Sequence, residues 1–136
     1  IEAYKGDHTK YLNSVRKILS YVGMYVYKNL KSNAINVAKP EGGFYLFPEF
    51  VNSKFSSSSE MCKDILKKTG VALLPGSDFG IEPKKMVARL SYTDFDGFNF
   101  LKKTLGGKNL DEDDLRKYAP NVVSGVLKLK EWANSL

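Results

Sequence analysis

The sequence predicts an α/β fold of the α+β type, in which helices pack on a small, largely antiparallel sheet of about three strands. Several long stretches repeat apolar residues every three or four positions, which is typical of helices with a buried face. Between these stretches lie short runs of β-branched and aromatic residues bounded by glycine and proline, as strands are. We therefore expect the element order α-β-α-β-β-α-α.

The first predicted helix spans residues 8–31, with Asp7 as its N-cap. One apolar stripe runs along it at steps of three and four: Leu12, Val15, Leu19, Val22, Val26 and Leu30. Aromatic and apolar residues also flank the stripe: Tyr11, Ile18, Tyr21, Met24, Tyr25 and Tyr27. Because a surface helix needs only one apolar face, we expect this helix to pack between two domains.

The first main strand is predicted after residues 33–37 and the turn that follows Pro40, and we expect it to end near Pro48. Ser57 and Glu60 have the spacing of a capping box, so they predict the start of a second helix. Gly70 is expected to end that helix. Its buried face is predicted to hold Met61 or Cys62, Ile65, Leu66 and Thr69.

Residues 71–74 and 86–92 are predicted as the next two strands, joined by a loop through Pro83. Thr93 and Asp96 form another candidate capping box, opening a helix that Gly106 and Gly107 end. Its inward residues are predicted to be Phe95, Phe98, Leu101 and Leu105.

A last helical region is predicted from Asp111 onward. Pro120 either kinks it or starts a second helix at its first turn, because proline lacks the N–H that a helix interior needs. One stripe is predicted to be buried throughout: Leu115, Tyr118, Val122, Val126, Leu129 and Ala133.

Composition bounds the functional class. A chain of 136 residues with 43% hydrophobic residues suits one domain with its own core. The net charge of +6 would permit nucleic-acid binding, but the lysines are scattered over expected solvated faces, so we expect no nucleic-acid partner. No stretch is apolar enough for a membrane span, and a single cysteine fits a reducing compartment. These features predict a cytoplasmic protein.

Arg89 is the most informative single residue, because it lies inside a predicted strand that should otherwise be buried. Burying a guanidinium is costly unless a carboxylate or phosphate meets it. The planar fork of arginine grips a carboxylate through two parallel hydrogen bonds. No acid within the strand is placed to be its partner. The strand alone leaves three alternatives open: a distant internal ion pair, a solvated edge strand, or a ligand site.

Four motifs in order carry a resemblance to a known family. They are P-x-G-G-F-Y-x-F at residues 40–47, E-x-C at 60–62, G-V-A-x-x-P-G-S-x-F-G at 70–80 and A-R-L-S-Y at 88–92. Together they resemble the carboxy-terminal small domain of the class I/II, fold-type I aminotransferases, which are pyridoxal 5'-phosphate (PLP) enzymes. The resemblance covers nearly the whole chain from about Thr9. It implies that Arg89 binds the α-carboxylate of an amino-acid or 2-oxo-acid substrate.

The resemblance also defines what this chain is expected to lack. No segment matches the family's Schiff-base lysine or its PLP-holding residues, so we expect no catalytic and no cofactor-binding residue here. The chain begins with Ile1, as a fragment would. We expect residues 1–136 to be one small domain, with an interdomain helix region at 1–32 and the sheet and helices at 33–136. PLP would then be bound by a missing amino-terminal large domain, in a parent enzyme that forms a homodimer.

Other candidate residues have weaker signals. The loop containing Phe79 resembles one that approaches the family's active site, so Phe79 is a possible substrate contact, as is Gly43 at the strand entrance. Cys62 is expected to be a packed thiol, and His8 has no companion for a metal site. The acidic run at residues 111–114 is explained by the helix dipole, and Gly106-Gly107-Lys108 by a helix stop. No metal site is predicted.

Two alternative functions remain open on the sequence. A catalytically inactive aminotransferase-like binding protein would carry the same motifs, since the deciding lysine lies outside this chain. A basic RNA-binding module would use Phe44 to Phe47 as an aromatic strand. That alternative fits poorly, because Phe44 and Tyr45 point to opposite faces of a strand and the element order differs.

Overall fold

The computed structural model describes residues 5–51 and 53–136. Its helices are α1 (Thr9–Leu30), α2 (Ser58–Thr69), α3 (Gly97–Leu105), α4 (Glu112–Tyr118) and α5 (Pro120–Asn134). Its strands are β1 (Ile35–Asn36), β2 (Tyr45–Leu46), β3 (Glu49–Phe50), β4 (Leu74–Pro75) and β5 (Ala88–Ser91). The predicted α/β class, with small antiparallel sheets and packed helices, is confirmed.

β5 is the central strand of a three-stranded antiparallel sheet in the order β2-β5-β4. The register places Tyr45 opposite Ser91 and Leu74 opposite Arg89. β1 and β3 form a second, two-stranded sheet, and a bridge between Glu49 and Val87 connects β3 to the segment before β5. The two sheets therefore meet along β5.

The strand predicted to end near Pro48 is β2, and a further strand, β3, begins directly after the proline. Proline has no N–H to donate, so Pro48 interrupts the ladder and separates β2 from β3. Its carbonyl still accepts a hydrogen bond from the Ala88 N–H at 3.1 Å. β2 and β3 consequently belong to different sheets although two residues separate them.

The core includes the places where α3 and α5 pack on α1, and the inner residues of β5 belong to the same buried cluster. α1 contacts α3 and α5, and α5 also contacts α2 and α4. Close packing is evident at Gly23, where an added Cβ would lie 2.9 Å from the Tyr92 hydroxyl oxygen. Tyr92, the residue after β5, is thus packed directly against the first helix.

Helix ends follow the predicted chemistry in α2 and α5. The Ser57 hydroxyl accepts the Glu60 N–H at 3.2 Å, whereas the Glu60 carboxylate accepts from the Ser56 N–H and hydroxyl, so half of the predicted capping box forms. Gly70 ends α2 with a φ of 73°. Pro120 occupies the first turn of α5, so it starts a new helix and does not kink an existing one.

The predicted start and inner face of α3 are wrong. Asp96, three residues later than Thr93, is the N-cap, and its carboxylate accepts the Asn99 N–H at 3.1 Å. The helix buries Phe100 and Thr104, whereas Phe98 is 75% exposed. The four predicted inward residues include no fully buried side chain: Phe95 and Leu101 are half-buried, and Phe98 and Leu105 are exposed. Which face is buried depends on the elements packed against it.

Two other helix faces also differ from the prediction. In α1 the predicted stripe is buried at Val22, Val26 and Leu30, but Leu12 is exposed. Ile18, which was predicted beside the stripe, is buried. Asp7 accepts the Thr9 N–H at 2.9 Å, one position before the N-cap. In α2 Leu66 is exposed, while both Met61 and Cys62 are buried. The first turns of α1 lie beyond the elements that cover its later turns.

The carboxy-terminal stripe is largely confirmed. Leu115, Val122, Val126, Leu129 and Ala133 are buried, and Tyr118 is half-buried. Trp132, which the stripe omitted, is also buried; its indole N–H donates to Asp64 at 2.9 Å and its ring packs edge-on against Phe50. α5 is therefore joined to α2 by a polar bond as well as by apolar packing.

Candidate functional site

Arg89 lies on the outer face of the three-stranded sheet. Its neighbours Ala88 and Leu90 are buried on the inner face, while Arg89 is half-buried and Ser91 is exposed. The period of two along a strand accounts for this alternation, since it places Arg89 and Ser91 on one face and Ala88 and Leu90 on the other. The central strand thus presents one guanidinium on the side of the sheet opposite the packed helices.

Two aromatic rings surround the guanidinium. The Arg89 Cζ atom lies 4.4 Å from the ring centroid of Tyr45 and 4.3 Å from that of Phe79. Tyr45 belongs to β2 and Phe79 follows β4, so the rings reach Arg89 from the two strands on either side of β5. At these distances both rings make cation–π contacts. We call Tyr45 and Phe79 the aromatic clamp.

No carboxylate within residues 5–51 and 53–136 forms an ion pair with Arg89. The ion pairs in that part of the chain involve other cations, namely Lys68, Lys103 and Arg116. The internal salt bridge that the sequence left open is therefore not formed there. Cation–π contacts use no N–H bond to an oxygen acceptor, so the guanidinium keeps its N–H groups for a ligand.

The turn that carries Phe79 is tied to β5. Residues Gly76–Phe79 form a 3-10 turn, and the Gly76 N–H donates to the Val87 carbonyl at 2.8 Å. A Cβ at Gly76 would lie 2.9 Å from the same carbonyl oxygen, so the close approach requires glycine. Gly80 then leaves the turn with a φ of 81°. Of the sequence-predicted site residues, Phe79 and Arg89 are thus brought into contact.

Gly43 lies where the chain enters β2. Its φ is 69°, a conformation that favours glycine, and its carbonyl accepts the Tyr92 hydroxyl at 2.8 Å. It also lines a cavity of about 290 Å³ together with Arg16, Glu41 and Tyr92. Gly43 therefore helps to hold β2 beside β5, and its contact with substrate stays a prediction.

Tyr45 was not among the predicted site residues. The aromatic alternation of residues 44–47 placed Tyr45 and Phe47 on one face, which was a usable signal. That signal does not say which strand lies beside β2. The antiparallel pairing of β2 with β5 joins residues 44 positions apart along the chain, Leu46 and Leu90, so it is a tertiary feature.

The remaining candidates have structural explanations. Burial raises the pKa of the Cys62 thiol to about 11, so it is held in its unreactive protonated form. Asp111 and Asp114 form a capping box at the start of α4, and both carboxylates accept from Lys103. Gly106 and Gly107 end α3, as predicted. In the described residues, no three His, Cys, Asp or Glu side chains group as metal ligands, and no helix is long and apolar enough to cross a membrane.

The segment that carries this arrangement matches the model of a known protein family. The profile of "Aminotransferase class I and II" matches residues 1–96, which include the aromatic clamp and Arg89. The chain belongs to the class I and II aminotransferase family. The family match ends before α3, so the carboxy-terminal part of the predicted resemblance is not confirmed by it.

Individual aminotransferases support the assignment. The chain is 30% identical over 114 residues to mitochondrial alanine aminotransferase of Saccharomyces cerevisiae, covering 75% of this chain and 19% of the relative. It is 41% identical over 68 residues to a probable N-acetyl-LL-diaminopimelate aminotransferase of Bacillus subtilis, covering 50% of this chain and 17% of the relative. The chain therefore spans about a fifth of the length of these relatives.

Solved aminotransferase structures share the fold. The aromatic aminotransferase of Pyrococcus horikoshii superposes with a TM-score of 0.68 over 98% of this chain and 30% of its own, at 20% identity. The alanine aminotransferase of Pyrococcus furiosus has a TM-score of 0.61, covering 87% of this chain and 24% of its own, at 21% identity. At these identities the likeness establishes the fold, which is that of part of an aminotransferase.

The surroundings of the lysines in this aminotransferase chain do not resemble those of a PLP-binding lysine. The cofactor of such enzymes is held by a lysine amine, and desolvation is what makes such an amine a nucleophile near neutral pH. Every lysine of residues 5–51 and 53–136 is exposed except Lys103 and Lys130, which are half-buried. Hydrogen bonds to Asp114 and Asp111 raise the pKa of Lys103, which is the opposite of what an amine nucleophile needs.

Proposed function

We propose that this chain is the small domain of a PLP-dependent aminotransferase that transfers an amino group between an amino acid and a 2-oxo acid. In this proposal Arg89 binds the α-carboxylate of the substrate. The observation that carries it is a half-buried guanidinium on the outer sheet face that contacts two rings and, among residues 5–51 and 53–136, forms no ion pair with a carboxylate. Family membership supplies the class of reaction.

The chemistry of arginine supports this role. A carboxylate can accept two parallel N–H bonds from one guanidinium, and such charge-assisted pairs are about twice as strong as neutral hydrogen bonds. Arg89 offers such a guanidinium from a half-buried position on the sheet. Its partial burial reduces competition from water. A substrate acid would therefore be oriented by both of its carboxylate oxygens.

The proposal places the other parts of the active site outside this chain. None of the lysines among residues 5–51 and 53–136 is fully buried, and Lys103 is ion-paired. These lysines do not fit covalent attachment of PLP, so we infer that a large domain of the same enzyme binds the cofactor. The long helix α1, with exposed Tyr11 and Leu12 near its start, would face that domain. The complete enzyme would be a cytoplasmic homodimer.

A second candidate function is a catalytically inactive aminotransferase-like protein. One relative is named "Inactive alanine aminotransferase" of Saccharomyces cerevisiae, and it is 28% identical over 102 residues, covering 67% of this chain. The two candidates differ in the lysine that would hold PLP, which is outside this chain. Absorbance of an imine in the complete protein, lost on reduction with borohydride, would favour the active enzyme.

The role of Arg89 can be tested by removing the carboxylate from the substrate and the guanidinium from the enzyme, separately and together. We expect the complete enzyme to prefer an α-amino acid over the amine that has the same side chain but no carboxylate. Arg89→Met should abolish most of that preference while leaving the reaction of the amine unchanged, because the amine never uses the guanidinium. Arg116→Met, which changes an exposed arginine on α4, is the matched control. An undiminished preference in Arg89→Met would contradict the proposal.

The isolated chain is expected neither to transaminate nor to take up PLP at one specific lysine. Its exposed lysines have no desolvated pocket to favour the neutral amine. The measurement is imine absorbance after dialysis, followed by borohydride reduction and mass spectrometry. One stoichiometrically labelled lysine would show that the cofactor site lies within this chain.

A further inference from the structure

We propose that Tyr45 and Phe79 are positioning residues that hold the Arg89 guanidinium so that it offers only its N–H edges to the substrate carboxylate. The inference rests on the carboxylate role of Arg89 proposed above and adds two residues to it. It also gives Phe79 a different task from the direct substrate contact that the sequence predicted.

The geometry restricts the arginine from both sides. Ring centroids lie 4.4 Å and 4.3 Å from its Cζ atom, and the rings come from opposite neighbours of the central strand. A free arginine side chain has several rotatable bonds and loses their freedom when it binds a ligand. The aromatic clamp restricts those bonds before the ligand arrives. The arginine is therefore preorganised for an anion that approaches in the plane of its fork.

The rings are themselves held in place. The Phe79 ring packs edge-on against Phe47, with 5.8 Å between centroids, and its turn is tied to β5 through Gly76. The Tyr45 ring contacts Phe44 at 4.2 Å between centroids, and its backbone is paired opposite Ser91. Each ring is thus supported by a second ring and by the sheet. Such support is what a positioning residue needs and a loose surface aromatic lacks.

The rings also limit what the site accepts. Because two ring centroids lie 4.4 Å and 4.3 Å from the Arg89 Cζ atom, the rings leave less room for an anion to stack on the guanidinium than to meet its N–H edge. The two rings remain partly exposed, at 39% for Tyr45 and 40% for Phe79, so they form apolar walls beside the bound group. A planar carboxylate next to a carbon chain fits this arrangement.

The first arm of the test measures substrate affinity in the complete enzyme. Phe79→Leu and Tyr45→Leu should each raise the KM for the amino acid about threefold to tenfold, the usual cost of ordering one long side chain on binding. Neither should change kcat greatly. Tyr45→Phe and Phe79→Tyr keep the rings and should behave as wild type. Substituting Leu127, which is exposed on α5, by alanine is the control for lost apolar surface.

The second arm observes the clamp itself by NMR on the folded 136-residue chain. In wild type, ring currents should shift the Arg89 Nε–H proton upfield, and Phe79→Leu or Tyr45→Leu should move it towards the position of a free arginine. The resonance is assigned by its loss in Arg89→Lys. An unshifted wild-type resonance would show that the clamp does not form and would overturn the inference.

The outcomes separate the two proposals. If Arg89→Lys weakens substrate binding but both leucine variants keep wild-type KM, the positioning role is overturned and the carboxylate role stands. If Arg89→Lys binds substrate normally, the carboxylate role is wrong and the positioning role falls with it. Raised KM in both leucine variants, rescue in the two ring-retaining variants and a ring-shifted Arg89 proton together establish the clamp.

Discussion

Replacing Arg89 by lysine is expected to weaken amino-acid binding to the complete enzyme by about 1.5–3 kcal/mol, the worth of a hydrogen bond to a charged group. Lysine keeps the positive charge, but it is a point charge without the planar fork that binds both carboxylate oxygens. It also cannot fill the space between the rings of Tyr45 and Phe79 as a guanidinium does. The change should appear in kcat/KM for every amino donor.

The stability of the fold should change little in Arg89→Lys, because Arg89 forms no ion pair with a carboxylate among residues 5–51 and 53–136 and the substitution therefore leaves none unpaired. Thermal unfolding of the variant is therefore the companion measurement. Arg116→Lys makes the same chemical change on an exposed helix and should alter neither quantity. Normal turnover and KM in Arg89→Lys would refute the carboxylate role.

Replacing Phe100 by alanine is expected to lower the free energy of unfolding by about 3–5 kcal/mol, the usual cost of deleting a buried phenylalanine. Phe100 is fully buried and lies edge-on to Phe95 and Tyr118, with centroids 5.3 Å and 5.5 Å away. Its removal leaves a cavity where α3 meets α1 and α4. Denaturant unfolding followed by circular dichroism measures the loss.

Phe98→Ala is the matched control, two residues earlier in the same helix. Because Phe98 is 75% exposed, its replacement should change stability by no more than about 0.5 kcal/mol. The pair also tests the direction in which α3 faces, since the sequence predicted Phe98 as the inward residue. Equal losses in the two variants, or a larger loss for Phe98→Ala, would mean that the helix packs in the other orientation.

Local signals located most elements of the fold. Ser57 and Gly70 marked the ends of α2, Pro120 lay where α5 begins, and the apolar periodicity identified the long helices. These signals depend on hydrogen bonds or backbone angles within a few residues, so they can be read from the chain itself. The start of α3 could not be predicted in this way, because Thr93 and Asp96 are both acceptable N-caps and lie three residues apart.

The candidate site was predictable in part for the same reason. Arg89 was conspicuous because a charge in a strand needs an explanation, and Phe79 was marked by its glycine-rich loop. Tyr45 became a site residue only through the pairing of β2 with β5. Leu12, Leu66 and Phe98 were predicted inward on periodicity alone, and they are exposed because no element in the described part of the chain covers them.

The sequence by itself determined the fold class, the helix ends set by capping residues, and the alternation that turns Arg89 away from the core. Each of these follows from bonding and backbone geometry within a few neighbouring residues. Only the tertiary structure decided that Pro48 divides two sheets, that Phe100 faces the core, and that two rings enclose Arg89. Those outcomes depend on strand order and on helix packing between segments that are distant in sequence. The free energies of such contacts cannot be inferred from a pattern within a few residues.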